Sequence, residues 1–178
     1  HDSPGQLLYA IVSLYRHDHD VAQLRELWPN VVRAVAFLES LRSQRLGDAW
    51  RTPEKRRFYG LLPESISHEG YWKRPVHSYW DDSWALLGLK EAVAAATALG
   101  EHAEAARFAA LRDAFRRDLR ASIEATMQHF QLATIPASAD LGDFDPSATS
   151  IAIAPGREQS LFPAAALART YDEYMADF

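Results

Sequence analysis

The sequence predicts an all-α protein of consecutive helical hairpins, arranged as a repeat array or toroid, with its long loops on one face. Three observations predict it. Helix starts are written twice in capping form, Ser3-Pro4-Gly5-Gln6 and Ser78-Tyr79-Trp80-Asp81. Each start opens a segment that is apolar nearly all round and is followed, after a short turn, by a segment with one charged face. The unit recurs at a spacing of roughly seventy to eighty residues, as repeat architectures do.

In the first start, Ser3 is expected as N-cap, Pro4 at the first helical position and Gln6 as the closing residue of the box. The helix runs to about Tyr15, carrying Leu7, Leu8, Ile11, Val12 and Leu14. His17-Asp18-His19-Asp20 is read as a solvated turn, although it imitates a metal cluster. The second helix covers about 21–43, with Leu24, Leu27, Val31, Val35 and Leu38 at helical spacing and Pro29 as a kink or junction. A connection of about 44–77 follows, far beyond the usual few residues. Its run Arg51-Thr52-Pro53-Glu54-Lys55-Arg56-Arg57 reads as a solvated basic loop. Ser78 caps a third helix that runs to about Leu99, where Gly100 stops it. Its partner, about 101–129, sets Phe108, Leu111, Phe115 and Leu119 against a charged face. A second long connection, about 130–162, holds Asp140, Asp143 and Asp145. Asp145-Pro146 is expected to cap a short helix, and a last helix covers about 164–175.

Short turns join buried helices to charged ones, and long connections lead back. All long connections therefore fall at the N-terminal ends of the buried helices. The stretches 1–6, 60–84 and 140–145 are expected to share one rim, and function concentrates on such loops.

Composition narrows the function. The net charge of −5 argues against a nucleic-acid partner. The absence of cysteine excludes a disulfide framework and thiolate metal sites. No apolar run reaches membrane-spanning length and no signal peptide opens the chain, so neither membrane nor compartment is indicated. No cofactor and no metal site is expected, because no His-x-x-x-His or comparable cluster is present.

The densest chemistry lies at Gly60–Trp84, where Glu64, Glu69, Asp81, Asp82, His68 and His77 mix with Tyr71, Trp72, Tyr79, Trp80 and Trp84. Carboxylates beside flat aromatic rings suit a sugar, whose C–H faces stack and whose hydroxyls hydrogen-bond. Each candidate also has a plainer reading. Asp81 is an acid or a capping-box residue. Asp82 is a sugar ligand or a solvated acid. Glu64 and Glu69 are catalytic acids or surface carboxylates. Tyr71, Trp72 and Trp80 are stacking platforms or staples for the loop. Asp145 lines the rim or caps the helix after it.

Two stretches carry a resemblance. Ser78–Trp84, S-Y-W-D-D-S-W, is similar to the S-G-W-D-x-S signature of trehalases and to the Ser-Gly-x-Asp segment of processing α-glucosidases. Asp2–Ile11, D-S-P-G-Q-L-L-Y-A-I, is similar to the Asp-x-x-Gly-Gln opening of an inner helix in glucoamylase-like toroids. The chain thus resembles part of a six-hairpin, (α/α)6-toroid glycosidase, with two full hairpins and part of a third in a single domain, 1–178. Tyr79 departs from the signature glycine.

The resemblance implies a glycoside hydrolase of inverting mechanism. Asp81 would be the general acid, with Glu64 and Glu69 as further catalytic candidates. Asp2, Gln6, His68, Tyr71, Trp72, His77, Trp80, Asp82 and Asp145 would shape the carbohydrate site. It also implies a general base beyond residue 178. The alternatives are a helical-repeat scaffold for a peptide or protein partner, and a toroid lyase or isomerase using Tyr71 or His68 as base. An incomplete toroid exposes inner-helix faces, so self-association is expected.

Overall fold

The computed structural model describes residues 1–68 and 70–176, and in it the chain is all-α. Six helices follow in order: α1 Ser3–Asp18, α2 Val21–Ser43, α3 Tyr79–Leu99, α4 His102–Phe130, α5 Ser147–Ile153 and α6 Ala164–Ala176. α1 with α2, and α3 with α4, form two hairpins. The buried helix α3 is the centre: α1, α2, α4 and α5 all pack on it.

The helix ends explain themselves locally. His19 closes α1 in the left-handed conformation (φ 57°), returning its N–H to the Tyr15 carbonyl. Asp20 then caps α2, accepting the Gln23 N–H at 2.9 Å. The expected turn is thus tighter than predicted, because α1 continues through His17 and Asp18. α2 passes Pro29 without a break. Gly100 ends α3 at φ 73°, as the glycine suggested.

Two caps differ from expectation. The cap of α1 is Asp2, not Ser3. Asp2 already offers its carbonyl to the Gln6 N–H at 3.1 Å, which draws Ser3 into the helix. The Gln6 side chain reaches Asp2 rather than Ser3. At α3, Ser78 does cap, accepting the Trp80 N–H at 3.2 Å. Asp81 does not close that box, because its carboxyl is engaged by the preceding loop.

α1 and α3 cross at two glycines. A Cβ on Gly5 would overlap the Trp84 carbonyl and stand 3.0 Å from the Ala85 nitrogen, and one on Gly88 would stand 2.6 Å from the Gly5 Cα. Without side chains at these points the backbones approach closely enough to set the start of α1 beside the start of α3. Around the crossing lies the core, with Leu8, Val12, Leu24, Val35, Leu86, Leu89, Phe108 and Phe115 all buried.

The long connections are ordered by each other. Ser65 and Val76 exchange both backbone hydrogen bonds, at 2.9 and 3.0 Å, and close a small flap over 65–76. The second connection pairs with the entry to α3: Tyr79 donates to the Ala137 carbonyl at 2.9 Å and Ala139 to that of His77 at 3.0 Å. The basic run is solvated as expected, with 51–56 exposed, but it is ordered: it follows a 3₁₀ turn at Asp48–Trp50 and enters a second at Arg56–Phe58 that packs on α4.

Candidate functional site

The residues ahead of α1 and the start of the flap border an open surface depression of about 520 Å³, lined by His1, Asp2, Glu64, Ser65, Ile66, Ser67 and His68. Helix packing brings Asp2 and Trp80 together, and the flap brings Ser65 and Ser67 over Asp81. The site is therefore made by residues far apart in the chain.

Asp81 sits behind the two serines and is only 1% exposed. Ser65 Oγ donates to its Oδ2, and Ser67 Oγ approaches Oδ1 at 3.3 Å. Ser67 adopts φ 55°, a left-handed conformation that costs a non-glycine residue energy and is found where surroundings enforce it. The His1 nitrogen stands 3.4 Å from Asp81 Oδ2. Burial pushes the Asp81 carboxyl above its ordinary pKa, and nearby Asp2 adds to the rise. The Ser65 hydrogen bond offsets part of it.

Asp2 faces the same space. It accepts from Gln6 Nε2 at 2.8 Å and from the Trp80 indole N–H at 3.2 Å. Asp2 Oδ1 and Asp81 Oδ2 stand 3.9 and 3.4 Å from one nitrogen, that of His1. The sum of those distances is the upper bound on their separation. His68 stacks on Trp80 with ring centroids 5.1 Å apart and planes 21° apart. Trp80 in turn meets Trp84 edge-on at 6.2 Å, and Trp84 meets Tyr9 at 6.0 Å. The Trp84 indole N–H is buried without a hydrogen-bond partner.

Glu64 lines the depression from the other side, held by Arg45 Nη2. Burial works against its ionisation, but a backbone N–H, His77 and Arg45 together outweigh it and lower its pKa.

The remaining candidates are placed elsewhere. His77 is turned inward, 1% exposed, with both ring nitrogens engaged: Nδ1 is 2.9 Å from Asp140 Oδ2 and Nε2 accepts from Arg45 Nε at 3.0 Å. Phe58 stacks on it at 4.6 Å. This ring ties the two long connections together and presents nothing to the depression. Asp82 also points inward. Its Oδ1 accepts the Leu62 N–H at 3.0 Å, Oδ2 is buried with no hydrogen-bond partner, and burial together with Asp81 holds the acid well above its ordinary pKa. Tyr71 donates to Asp143 Oδ2 at 2.6 Å, linking flap to second connection. Trp72 is 70% exposed on the flap, outside the lining of the depression. Asp145 accepts the Ser147 N–H at 3.0 Å in the turn ahead of α5, whose N-cap is Pro146 rather than the expected Asp145. Glu69 lies outside the described residues.

Sequence reasoning missed Ser65, Ser67, Arg45 and the role of Asp140. The two serines had one signal: they alternate around Ile66, and alternation in an extended segment puts both on one side. Arg45 had none, because a helix-tail arginine ordinarily stays in water.

Among the described residues no group of three or more His, Asp or Glu side chains could hold a metal ion, and no helix is long and apolar enough to cross a membrane. No family model, curated protein or solved structure matches the chain, so the site is read from its geometry.

Proposed function

We propose that the depression is a carbohydrate site and that the chain contributes to a glycoside hydrolase of inverting type. One observation carries the reading. A buried carboxyl whose pKa burial raises, Asp81, stands near a second carboxylate, Asp2, the two lying 3.4 and 3.9 Å from one nitrogen, beside the stacked rings of Trp80 and His68. A protonated carboxyl is what a general acid needs in order to give its proton to a glycosidic oxygen. In inverting enzymes the two carboxyls stand about 6.5–9.5 Å apart, in retaining ones about 5–5.5 Å. The bound on Asp2 and Asp81 reaches into the first range and admits the second. Product stereochemistry distinguishes them.

Ser65 and Ser67 lie between Asp81 and the depression. Either substrate displaces them, or the Ser65 hydroxyl passes the proton on while taking the one from Asp81. Asp2, with two donors already fixing it, and Glu64, anchored by Arg45, are placed to accept hydrogen bonds from sugar hydroxyls. Either is a base candidate within the chain.

A titration followed by tryptophan fluorescence tests the reading. Glucose, mannose, trehalose and short α- and β-linked oligosaccharides are added to wild type and to Asp81→Asn. A saturable, sugar-specific change that the substitution weakens supports it. Saturable binding that is identical in Asp81→Asn moves the site elsewhere and overturns it.

The second reading is a helical-repeat scaffold. It is favoured by an exposed apolar row on the first hairpin, Leu7 and Leu14 on α1 and Phe37 on α2. A partner seated there binds Asp81→Asn as tightly as wild type.

A further inference from the structure

A second surface feature lies on the outer side of the molecule, where the basic run folds against the C-terminal half of α4. A groove of about 440 Å³ has Arg51, Arg56 and Tyr59 on one wall and Ala121, Glu124, Ala125 and Gln128 on the other. A smaller recess of about 130 Å³ shares Arg56, Ala125 and Gln128 and adds Arg57 and His129. The alanines, one helical turn apart, give a floor without bulk.

The guanidinium groups here are held by neutral partners. Arg56 Nη2 donates to Gln128 Oε1 at 2.9 Å. Arg57 donates through Nε to the Ala139 carbonyl at 3.0 Å and through Nη1 to that of Glu54 at 3.2 Å. Arg51 reaches the Tyr59 hydroxyl and lies over the Tyr59 ring at 4.3 Å. Its one carboxylate neighbour, Asp48, is 3.7 Å away and fully exposed. Glu124 is taken by Arg120 at 2.9 Å. Among the described residues neither Arg56 nor Arg57 has a carboxylate within ion-pair reach. Elsewhere on α2 and α4 several arginines do find carboxylates, Arg42 with Asp118, Arg107 with Glu39 and Glu104, and Arg116 with Glu158, while Arg33 is held by the neutral Asn30 side chain.

We propose that this groove binds an oxyanion, the phosphate, sulfate or carboxylate of a small acidic ligand. Guanidinium forks match the oxygens of all three groups, and positioning by neutral acceptors leaves Arg56 and, beside the exposed Asp48, Arg51 to face a ligand, while the Arg57 charge already acts on Asp140. The volume suits a single sugar-sized molecule. The proposal is independent of the acidic depression, where Asp2 and Glu64 repel anions.

The test follows amide and arginine side-chain NMR signals of the whole chain on addition of inorganic phosphate, inorganic sulfate or glucuronate, with glucose as the neutral control. Saturable shifts confined to 51–59 and 121–129, weakened about tenfold or more by Arg56→Gln and by added chloride, are expected. Asp81→Asn leaves them unchanged. The tightest of the three anions names the source of the oxyanion. Arg51→Gln is a second, independent variant, and both residues are exposed, so the helical scaffold does not depend on them. Shifts that fail to saturate, that glucose reproduces, or that survive both substitutions overturn the proposal.

Discussion

Gly5→Ala tests the crossing on which the site depends. The added methyl meets backbone on α3: the Trp84 carbonyl overlaps it and the Ala85 nitrogen is 3.0 Å away. Neither is the end of a flexible side chain, so relief requires α1 to move off α3. Gly88 faces it across the crossing, where a Cβ would stand 2.6 Å from the Gly5 Cα. Overpacking a close contact costs about 1–3 kcal/mol, and here the cost falls at the upper end or beyond, because two helix backbones must part. Alanine gains up to about 1 kcal/mol in helix propensity, which offsets part of that. A net loss of about 2 kcal/mol lowers Tm by about 4–8 °C in a chain of this length. Urea and thermal melts followed by helical circular dichroism measure it. Gly47→Ala is the control, since a Cβ there meets nothing within 4 Å. A Gly5→Ala protein as stable as the Gly47→Ala protein refutes the close-contact reasoning. The substitution also separates Asp2 from Trp80, so the Trp80 emission shifts together with the stability.

Two further predictions concern the buried polar groups. Asp82 has a folded pKa well above its ordinary 3.8, so the unfolded chain ionises first as pH rises. The Asp82 contribution to stability is complete below about pH 3.8 and falls as pH rises toward the folded pKa, by about 1.4 kcal/mol for each unit between the two. Asp82→Asn removes that loss while keeping an acceptor for the Leu62 N–H. The variant is therefore expected to match wild type in acid and exceed it at pH 7 in urea melts, and a uniform deficit at every pH contradicts the assignment. His77→Ala strips Arg45 and Asp140 of their shared partner and opens a cavity against Phe58, at a cost of about 3 kcal/mol or more. Amide exchange should accelerate in both long connections, 61–68 and 137–143. Acceleration confined to one of them denies the ring its role as a tie.

The helices were legible in the sequence because their signals are local. Gly100, the apolar spacing of α2 and the Ser78 cap each act within one turn, and the all-α class follows from them. The cap of α1 was misplaced by one residue because Ser3 and Asp2 compete for one job. The outcome turned on the Asp2 carbonyl already closing a helical bond to Gln6. The contents of the site were legible only as a set of residue types. Whether His77 faces a ligand or the core depends on Phe58 and Asp140 arriving from two other segments, and no period in the sequence records that meeting. The basic run read as solvated because like charges on a loop usually are. Its neutral partners, Gln128 and the Ala139 carbonyl, come from 70 residues or more away.

Asp81 stands where opposing effects meet. The first turn of a helix stabilises a negative charge through its dipole and free N–H groups. A carboxylate using them would be an ordinary cap, with its pKa lowered. In this chain Ser78 takes the Trp80 N–H, and Asp81 turns instead to hydroxyls of the flap. It gives up the backbone N–H bonds that would have kept it ionised and keeps the burial that disfavours charge. Burial is the largest influence and the net direction is upward. The flap therefore does more than cover the acid. With the carboxyl drawn off the helix terminus, burial outweighs the Ser65 hydrogen bond, which by itself favours the ionised form, and the pKa moves upward, the direction that the proposed chemistry requires.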